Sequence, residues 1–417
     1  MRNNPLINTL LNIRGNPKAC IYTEPLWAIP FNLYIPFVSV YMSALFLTDS
    51  QIGLVASVSM FFMAIFALLS GAITDKLGRR LATFIFDTLS WSIPCLLWAF
   101  SQNVWWFIVA AAFNGMVQIP NTSWLCLLVE DAEKHALVGI FSLLHLIGQL
   151  SVIFAPIAAI MVGFYTIVPV MRVLYLITFV AMTLKFIIFY KLSEETEVGK
   201  VRKKETADMS IFKIMSGYGQ ILRRVLVSRE MKLAFAISAI LYIATIITSN
   251  FFGLYITGPL MIPDQYLAYY PIVRSVVVVF FLFFVQSRLT RFGLKNPMLI
   301  GVLLFIAGHV ILLISPHGNL IIPFVYILIE ACAFSLVIPS KDSLVAMLID
   351  PDERARISSI MTFLVLCFSI PFGYLAGWMS DMDRRLPFLL NIGLFVLVFL
   401  VILVGGKLMD NASKEPN

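Results

Sequence analysis

The chain has 417 residues, of which 60% are hydrophobic and 13% charged, with a formal net charge of +7. Soluble domains carry about 25% charged residues. Here the apolar residues fall in blocks as long as the roughly 20 residues that cross a bilayer, which excludes an ordinary soluble protein. The basic excess lies in short loops between those blocks and not in one patch, so it reads as membrane topology and not as nucleic-acid binding.

In chain order, residues 1–24 are polar and basic, with a weakly amphipathic stretch near Leu6–Ile13 and no apolar h-region leading to a cleavage site, so no removable signal peptide is expected. Spans are expected at 25–47, 51–73, 81–101, 104–129, 137–164 and 166–190. A second set is expected at 231–256, 267–289, 297–315, 320–349, 357–379 and 387–404. Between the two sets lies the long polar segment 191–230. It reads as a solvated linker whose second part, 211–227, is either a short amphipathic helix or a tether. The expected domains are therefore 1–190, a linker 191–230, and 231–417. With the N-terminus inside, outer loops hold only Arg172, Arg384 and Arg385, while most of the 30 Lys and Arg fall on inner segments. That asymmetry places both termini in the cytoplasm. Cys20, Cys95, Cys126, Cys332 and Cys367 have no metal-ligand spacing and read as small buried apolar side chains.

Two charged loops echo one another. After the fourth span Glu130, Glu133, Lys134 and Ile140 align with Asp350, Glu353, Arg354 and Ile360 after the tenth, and Pro156 has a counterpart in Pro371. Between the second and third spans stands Gly71-Ala-Ile-Thr-Asp75-Lys-Leu-Gly78-Arg79-Arg80. Its weaker echo, Thr290-Arg-Phe-Gly293, lacks the acid. This stretch resembles the G-x-x-x-D-[RK]-x-G-R-R signature of the major facilitator superfamily of secondary transporters. The resemblance implies an all-α multi-pass membrane protein of twelve transmembrane helices in two pseudo-symmetric six-helix bundles, related by an axis along the membrane normal.

The resemblance also implies a latch on the inner face. Gly71 allows close helix approach and Gly78 a tight turn. Asp75 accepts hydrogen bonds from the start of span eleven near Arg354, and Arg79 or Arg80 pairs with Asp75 and with Glu130 or Asp131. Such a latch favours the outward-open state. The bland alternative, that Lys76, Arg79 and Arg80 merely obey the positive-inside rule, does not account for Asp75.

Ionisable groups inside spans are expensive and default to function. Glu330 and Lys341 share a face of span ten, which Tyr326 joins. Near mid-span, Glu330 is the first candidate to carry a proton; the rival reading is a structural ion pair with Arg274. Asp342 is a further coupling candidate, or pairs with Lys341. Resemblance places spans one, four, seven and ten around the cavity. Span four offers Asn114, Gln118 and Asn121 on one face, suited to a polar solute or to holding helices together. Span five offers His145 and Gln149, span seven Tyr242, Thr245 and Ser249, and span one Asn32 and Tyr34. Asp87 is expected to pair with a neighbouring helix, Lys185 to snorkel inward, and His309 to be a satisfied packing residue.

Drug/proton antiporters of this superfamily carry an Arg before a Gly in span four. Here Ala110-Ala-Ala-Phe-Asn114 precedes Gly115, and span five has the softened Ala155-Pro156 stretch. The reading is a small-solute carrier working by alternating access, proton-coupled, for a polar solute such as a sugar or organic acid. The alternatives are efflux of amphipathic compounds or a non-transporting receptor of transporter ancestry. With no H-x-x-x-H, D-D-x-x-D or phosphate loop, no enzyme, cofactor or metal is expected. The expected partners are a small-molecule substrate, a proton or another coupling ion and the lipid bilayer, in a monomer of the plasma or inner membrane.

Overall fold

The computed structural model describes residues 10–132, 136–215, 218–284, 293–348 and 354–412. Helices lie over all twelve expected spans: α1 (Gly15–Ala44), α2 (Asp49–Leu77), α3 (Arg79–Ala99), α4 (104–129), α5 (Gly139–Phe164) and α6 (Ile167–Leu192). These are followed by α7 (Arg229–Thr257), α8 (Tyr269–Phe284), α9 (Lys295–Leu313), α10 (Ile321–Leu348), α11 (Arg354–Met382) and α12 (Leu386–Ala412). Among the described residues there is no strand, and ten of these helices are long and apolar enough to cross a membrane. The two others are α4, whose middle carries Asn114, Gln118 and Asn121, and α8, of which 16 residues are described. The chain is an all-α multi-pass fold, with which a count of twelve and termini on one side are consistent.

The first helix starts earlier than its hydropathy suggests, taking in Glu24. Elsewhere prolines explain where regular winding fails, because a proline lacks an N–H and crowds the carbonyl four residues back. Pro120 and Pro156 follow the 3₁₀ turns Gly115–Val117 and Val152–Phe154, and Pro94 follows the π turn Thr88–Ser92. The carbonyl that Pro94 leaves free, that of Ser90, accepts the Asn114 side-chain amide at 2.9 Å. One candidate solute ligand of α4 is thus engaged between helices.

The helices form two compact units, Met1–Ile35 with Val58–Gly217, and Pro36–Ser57 with Tyr218–Asn417. Compared with a cut at either end of the linker, residues 36–57 group with the second unit and the linker up to 217 with the first. The first unit is packed around Cys20, Ile21, Leu127, Leu128 and Phe189, and around Cys95, Met182 and Phe186. In the second, Met231, Ala234, Ile357, Ile360 and Met361 form one core, which Tyr218 and Leu222 of the linker helix Tyr218–Val227 join. Helix α6 buries Val170, Met171, Leu174 and Thr178 and exposes Val173, Ile177, Val180 and Leu184. Exposed apolar stripes of this kind mark a surface made for lipid.

Two expectations are corrected. The linker is not solvated throughout: Ser193, Thr196 and Thr206 are buried, and the helix Glu197–Thr206 lies against the end of α2. Lys185 does not snorkel. It is buried and its Nζ donates to Glu24 Oε2 at 3.0 Å, because a carboxylate that the sequence leaves outside the first span falls within its helix.

Candidate functional site

The turn from α2 to α3 is built on Gly78, whose φ of +88° lies in the left-handed region that suits glycine. Gly293, the turn glycine of the weaker echo, has φ +68°; residues 290–292 of that echo lie outside the described residues. A Cβ on Gly78 would strike the Glu195 carboxylate. That carboxylate accepts the backbone N–H of Arg79 at 3.0 Å and of Arg80 at 3.2 Å, so it caps the start of α3, where the helix dipole is positive.

Asp75 and Arg79, one turn apart, meet at 2.9 Å (Nη1 to Oδ1). The same guanidinium donates from Nη2 to Glu130 Oε1 at 3.2 Å, and Glu130 also accepts from Thr196 Oγ1. Arg79 thus forks two carboxylates while itself buried. Arg80 does not join that pair. Its Nε and Nη2 donate to the Tyr190 carbonyl at 2.9 and 2.6 Å, and its guanidinium stacks 4.1 Å from the Tyr190 ring. Lys76 Nζ donates to the Met209 carbonyl at 2.8 Å, and Asp131 accepts from Asn16 at 3.2 Å. Gly71 lies in the last turns of α2. The side chain of Arg354 lies outside the described residues, as do Glu133, Lys134, Asp350 and Glu353 of the repeated loops.

The opposite end of α2 holds a constellation that sequence reasoning missed, and it lies wholly in the second unit. Asp49 takes Arg384 through Oδ2 and Oδ1, at 2.9 Å from Nε and 3.0 Å from Nη2, and accepts from Ser380 at 2.7 Å. Asp381 accepts the backbone N–H of Asp49 at 2.8 Å and of Ser50 at 3.0 Å. Thr48 and Gln51 close a capping box around the same turn, at 3.1 and 3.2 Å. Below it α2 and α11 touch backbone to backbone: a Cβ on Gly53 would strike the Gly373 carbonyl and approach Gly377 Cα to 3.0 Å. Ser57 Oγ donates to the Ile370 carbonyl at 2.6 Å and accepts the Tyr374 N–H at 2.8 Å. The Thr-x-x-Gln spacing is the one sequence signal that points here.

Within the second unit, Arg274 Nε stands 3.3 Å from Glu330 Oε2. The carboxylate is buried, and Arg274 lies 4.5 Å over the Phe334 ring. Both line a cavity of about 30 Å³ with Thr245, Ser249 and His309, room for about one water. Tyr326 is buried beside it and stacks on Phe252 at 5.5 Å. His309 packs as expected, with Nδ1 2.9 Å from the Phe305 carbonyl. Lys341 meets Asp342 at 2.7 Å, with Asp342 mostly exposed. Tyr242 is partly buried and lies outside the lining of that cavity.

The first unit holds a larger cavity, about 260 Å³, lined by Glu24, Trp27, Asp87, Trp91, Asn121, Trp124 and Lys185 among others. Asn121 is the one α4 amide that reaches it; Gln118 is partly buried outside its lining. Asp87 was expected to pair with a neighbour. Among the described residues it makes no hydrogen bond and no ion pair within 4.0 Å, although it is buried. Asn32 donates to the Ala28 carbonyl of its own helix at 2.8 Å, and Tyr34 is packed against Tyr175 with centroids 5.0 Å apart. His145 is exposed on α5 and Gln149 partly buried. Glu24 was missed because it closes the polar leader, one residue before a proline that reads as the start of the span.

A family model of the Major Facilitator Superfamily matches residues 27–365. Over 164 residues the chain is 27% identical to the multidrug resistance protein MdtG of Salmonella paratyphi C, covering 37% of this chain and 40% of that one. Over 102 residues it is 34% identical to MdtG of Serratia proteamaculans, covering 23% and 25%. The chain thus spans about two fifths of the length of the first of these relatives and a quarter of the second. The fold is similar to the crystal structure of the nucleoside transporter NupG, with TM-score 0.71, 17% identity and coverage of 94% of this chain and 100% of that one. It is also similar to a POT family transporter in complex with 5-aminolevulinic acid, with TM-score 0.69, 12% identity and coverage of 95% and 96%.

Proposed function

Because the chain belongs to the Major Facilitator Superfamily and is a membrane transporter, not an enzyme, we propose that it moves a small organic solute by alternating access, coupled to a proton. The observation that carries this reading is the Arg274–Glu330 pair at 3.3 Å, set in an apolar helix pair beside Thr245 and Ser249. Glu330 is buried and Arg274 partly exposed; a carboxylate held out of water for an ion pair comes at a cost, so the pair is a poor choice for stability and a good one for a switch. Protonation of Glu330 frees Arg274 for an anionic or polar group of the solute, beside the hydroxyls of Thr245 and Ser249 that line the same cavity; deprotonation recaptures Arg274 and expels the solute. A solute needs more room than this cavity offers, which fits a state closed around the pair.

In this reading residues 1–190 and 231–417 are six-helix bundles joined by 191–230, both termini are cytoplasmic, and the protein is a monomer of the plasma or inner membrane. The fastening of Asp75, Arg79 and Glu130 then lies on the cytoplasmic side and that of Asp49 and Arg384 on the outer side.

A second reading, efflux of amphipathic compounds, is favoured by the tryptophan-lined cavity of the first unit and by the name of the MdtG relatives. The test of transport is solute movement in proteoliposomes under an imposed pH gradient of either sign. Wild type is expected to accumulate or expel solute, and Glu330→Gln to lose gradient-driven movement while keeping counterflow. Absence of flux for every solute and gradient overturns transport in favour of a receptor. Gradient-driven movement by Glu330→Gln removes Glu330 from the coupling.

A further inference from the structure

We propose that the cavity of the first unit binds a small organic monocation with an apolar or aromatic body. The inference rests on the efflux reading and names its substrate class.

Three ionisable groups line this cavity, and they do not balance. Lys185 is committed to Glu24 at 3.0 Å. Ionised together, Glu24, Asp87 and Lys185 leave one negative charge, and it falls to Asp87. That carboxylate is 9% exposed and has no hydrogen bond or ion pair among the described residues. Lys185 is near enough to act on Asp87 electrostatically, but its ion pair is with Glu24; a buried carboxylate without a direct partner is costly, so one further positive charge would balance the three groups.

The walls already hold one cation. The Lys185 ammonium lies 5.7 Å from the Trp27 ring centroid and 5.9 Å from that of Trp124, within the roughly 6 Å over which an aromatic face attracts a cation. Trp91 lines the same space and meets Trp27 edge to face at 5.3 Å. Indole faces beside a carboxylate select a cation that carries apolar surface over a hydrated metal ion.

The volume of about 260 Å³ lies just below the usual range of about 300–1,000 Å³ for ligand pockets, so the ligand is small.

The test is binding to the purified full chain in detergent with no gradient, read by calorimetry and by quenching of tryptophan fluorescence. The probe is N-methyl-4-phenylpyridinium, a permanent cation; its neutral counterpart is 4-phenylpyridine at mildly alkaline pH. Wild type is expected to bind the cation at least tenfold more tightly than the neutral compound. Asp87→Asn is expected to lose at least tenfold for the cation and nothing for the neutral compound, and Trp91→Leu, which leaves the charges alone, to weaken cation binding several-fold. Equal binding of the two compounds by wild type overturns the proposal. So does unchanged cation affinity in an Asp87→Asn protein that unfolds at the wild-type temperature. If Asp87→Asn does not fold, the two-compound comparison and Trp91→Leu decide. Cation binding without flux in proteoliposomes keeps this site and sinks transport; flux of other solutes without cation binding does the reverse.

Discussion

Asp49 and Arg384 form a two-point carboxylate–guanidinium pair, at 2.9 and 3.0 Å, with Asp49 buried. The geometry is the planar fork that arginine offers and lysine cannot. Removing one partner of a buried pair costs about 3–5 kcal/mol. Arg384→Met is therefore expected to loosen this end of α2. A cysteine placed at Ser57, in a background without the native cysteines, should react faster with an impermeant thiol reagent applied from that side. An unchanged labelling rate would show that the pair fastens nothing.

Gly53→Ala adds a methyl group where a Cβ meets the Gly373 carbonyl and Gly377 Cα. Overpacking of this kind costs about 1–3 kcal/mol, and here the obstacle is backbone, which cannot rotate away. The expected outcome is a lower unfolding temperature together with faster labelling at position 57. A variant as stable and as slowly labelled as wild type would mean that the helices part at no cost.

Arg79→Lys keeps the charge and loses the fork between Asp75 and Glu130. A compact ammonium reaches one carboxylate at a time, leaving the other unpaired in a half-buried setting. Loss of about 1.5–3 kcal/mol, the worth of a charged hydrogen bond, is expected. It would be read as a lower midpoint in thermal unfolding of the purified protein, and Arg79→Gln should cost more. Equal midpoints for the three proteins would assign Arg79 to charge topology alone.

Glu195→Ala removes the acceptor for the Arg79 and Arg80 N–H groups. Loss of a helix cap costs about 0.5–2 kcal/mol, and the linker helix Glu197–Thr206 loses one of its anchors. Limited trypsin digestion followed by mass spectrometry should show faster cleavage after Lys200 and Arg202, both on the exposed side of that helix. An unaltered cleavage pattern would show that Thr196 and Thr206 hold the helix without Glu195.

Local rules carried far. Hydropathy placed the long helices, and the family resemblance of Gly71–Arg80 implied the ion pair that Asp75 makes with Arg79. What failed was pairing over distance. Glu195, Asp381 and Glu24 each sit in polar text with no periodicity, and each becomes important only because folding brings it to a helix start or a buried ammonium. Lys185 looked free to snorkel because the expected first span began at residue 25, one residue too late to include Glu24. Asn114 looked like a solute ligand because nothing in its own helix reveals that Pro94 frees a carbonyl opposite. The Arg274–Glu330 contact was open to two readings in sequence, and the distance now fixes the contact.

At Gly53, Gly373 and Gly377 no side chain separates α2 from α11, so main-chain atoms face each other directly. At these positions main-chain atoms occupy the space that side chains or a bridging water would otherwise take, so the same three glycines that permit the close approach also dry the contact locally.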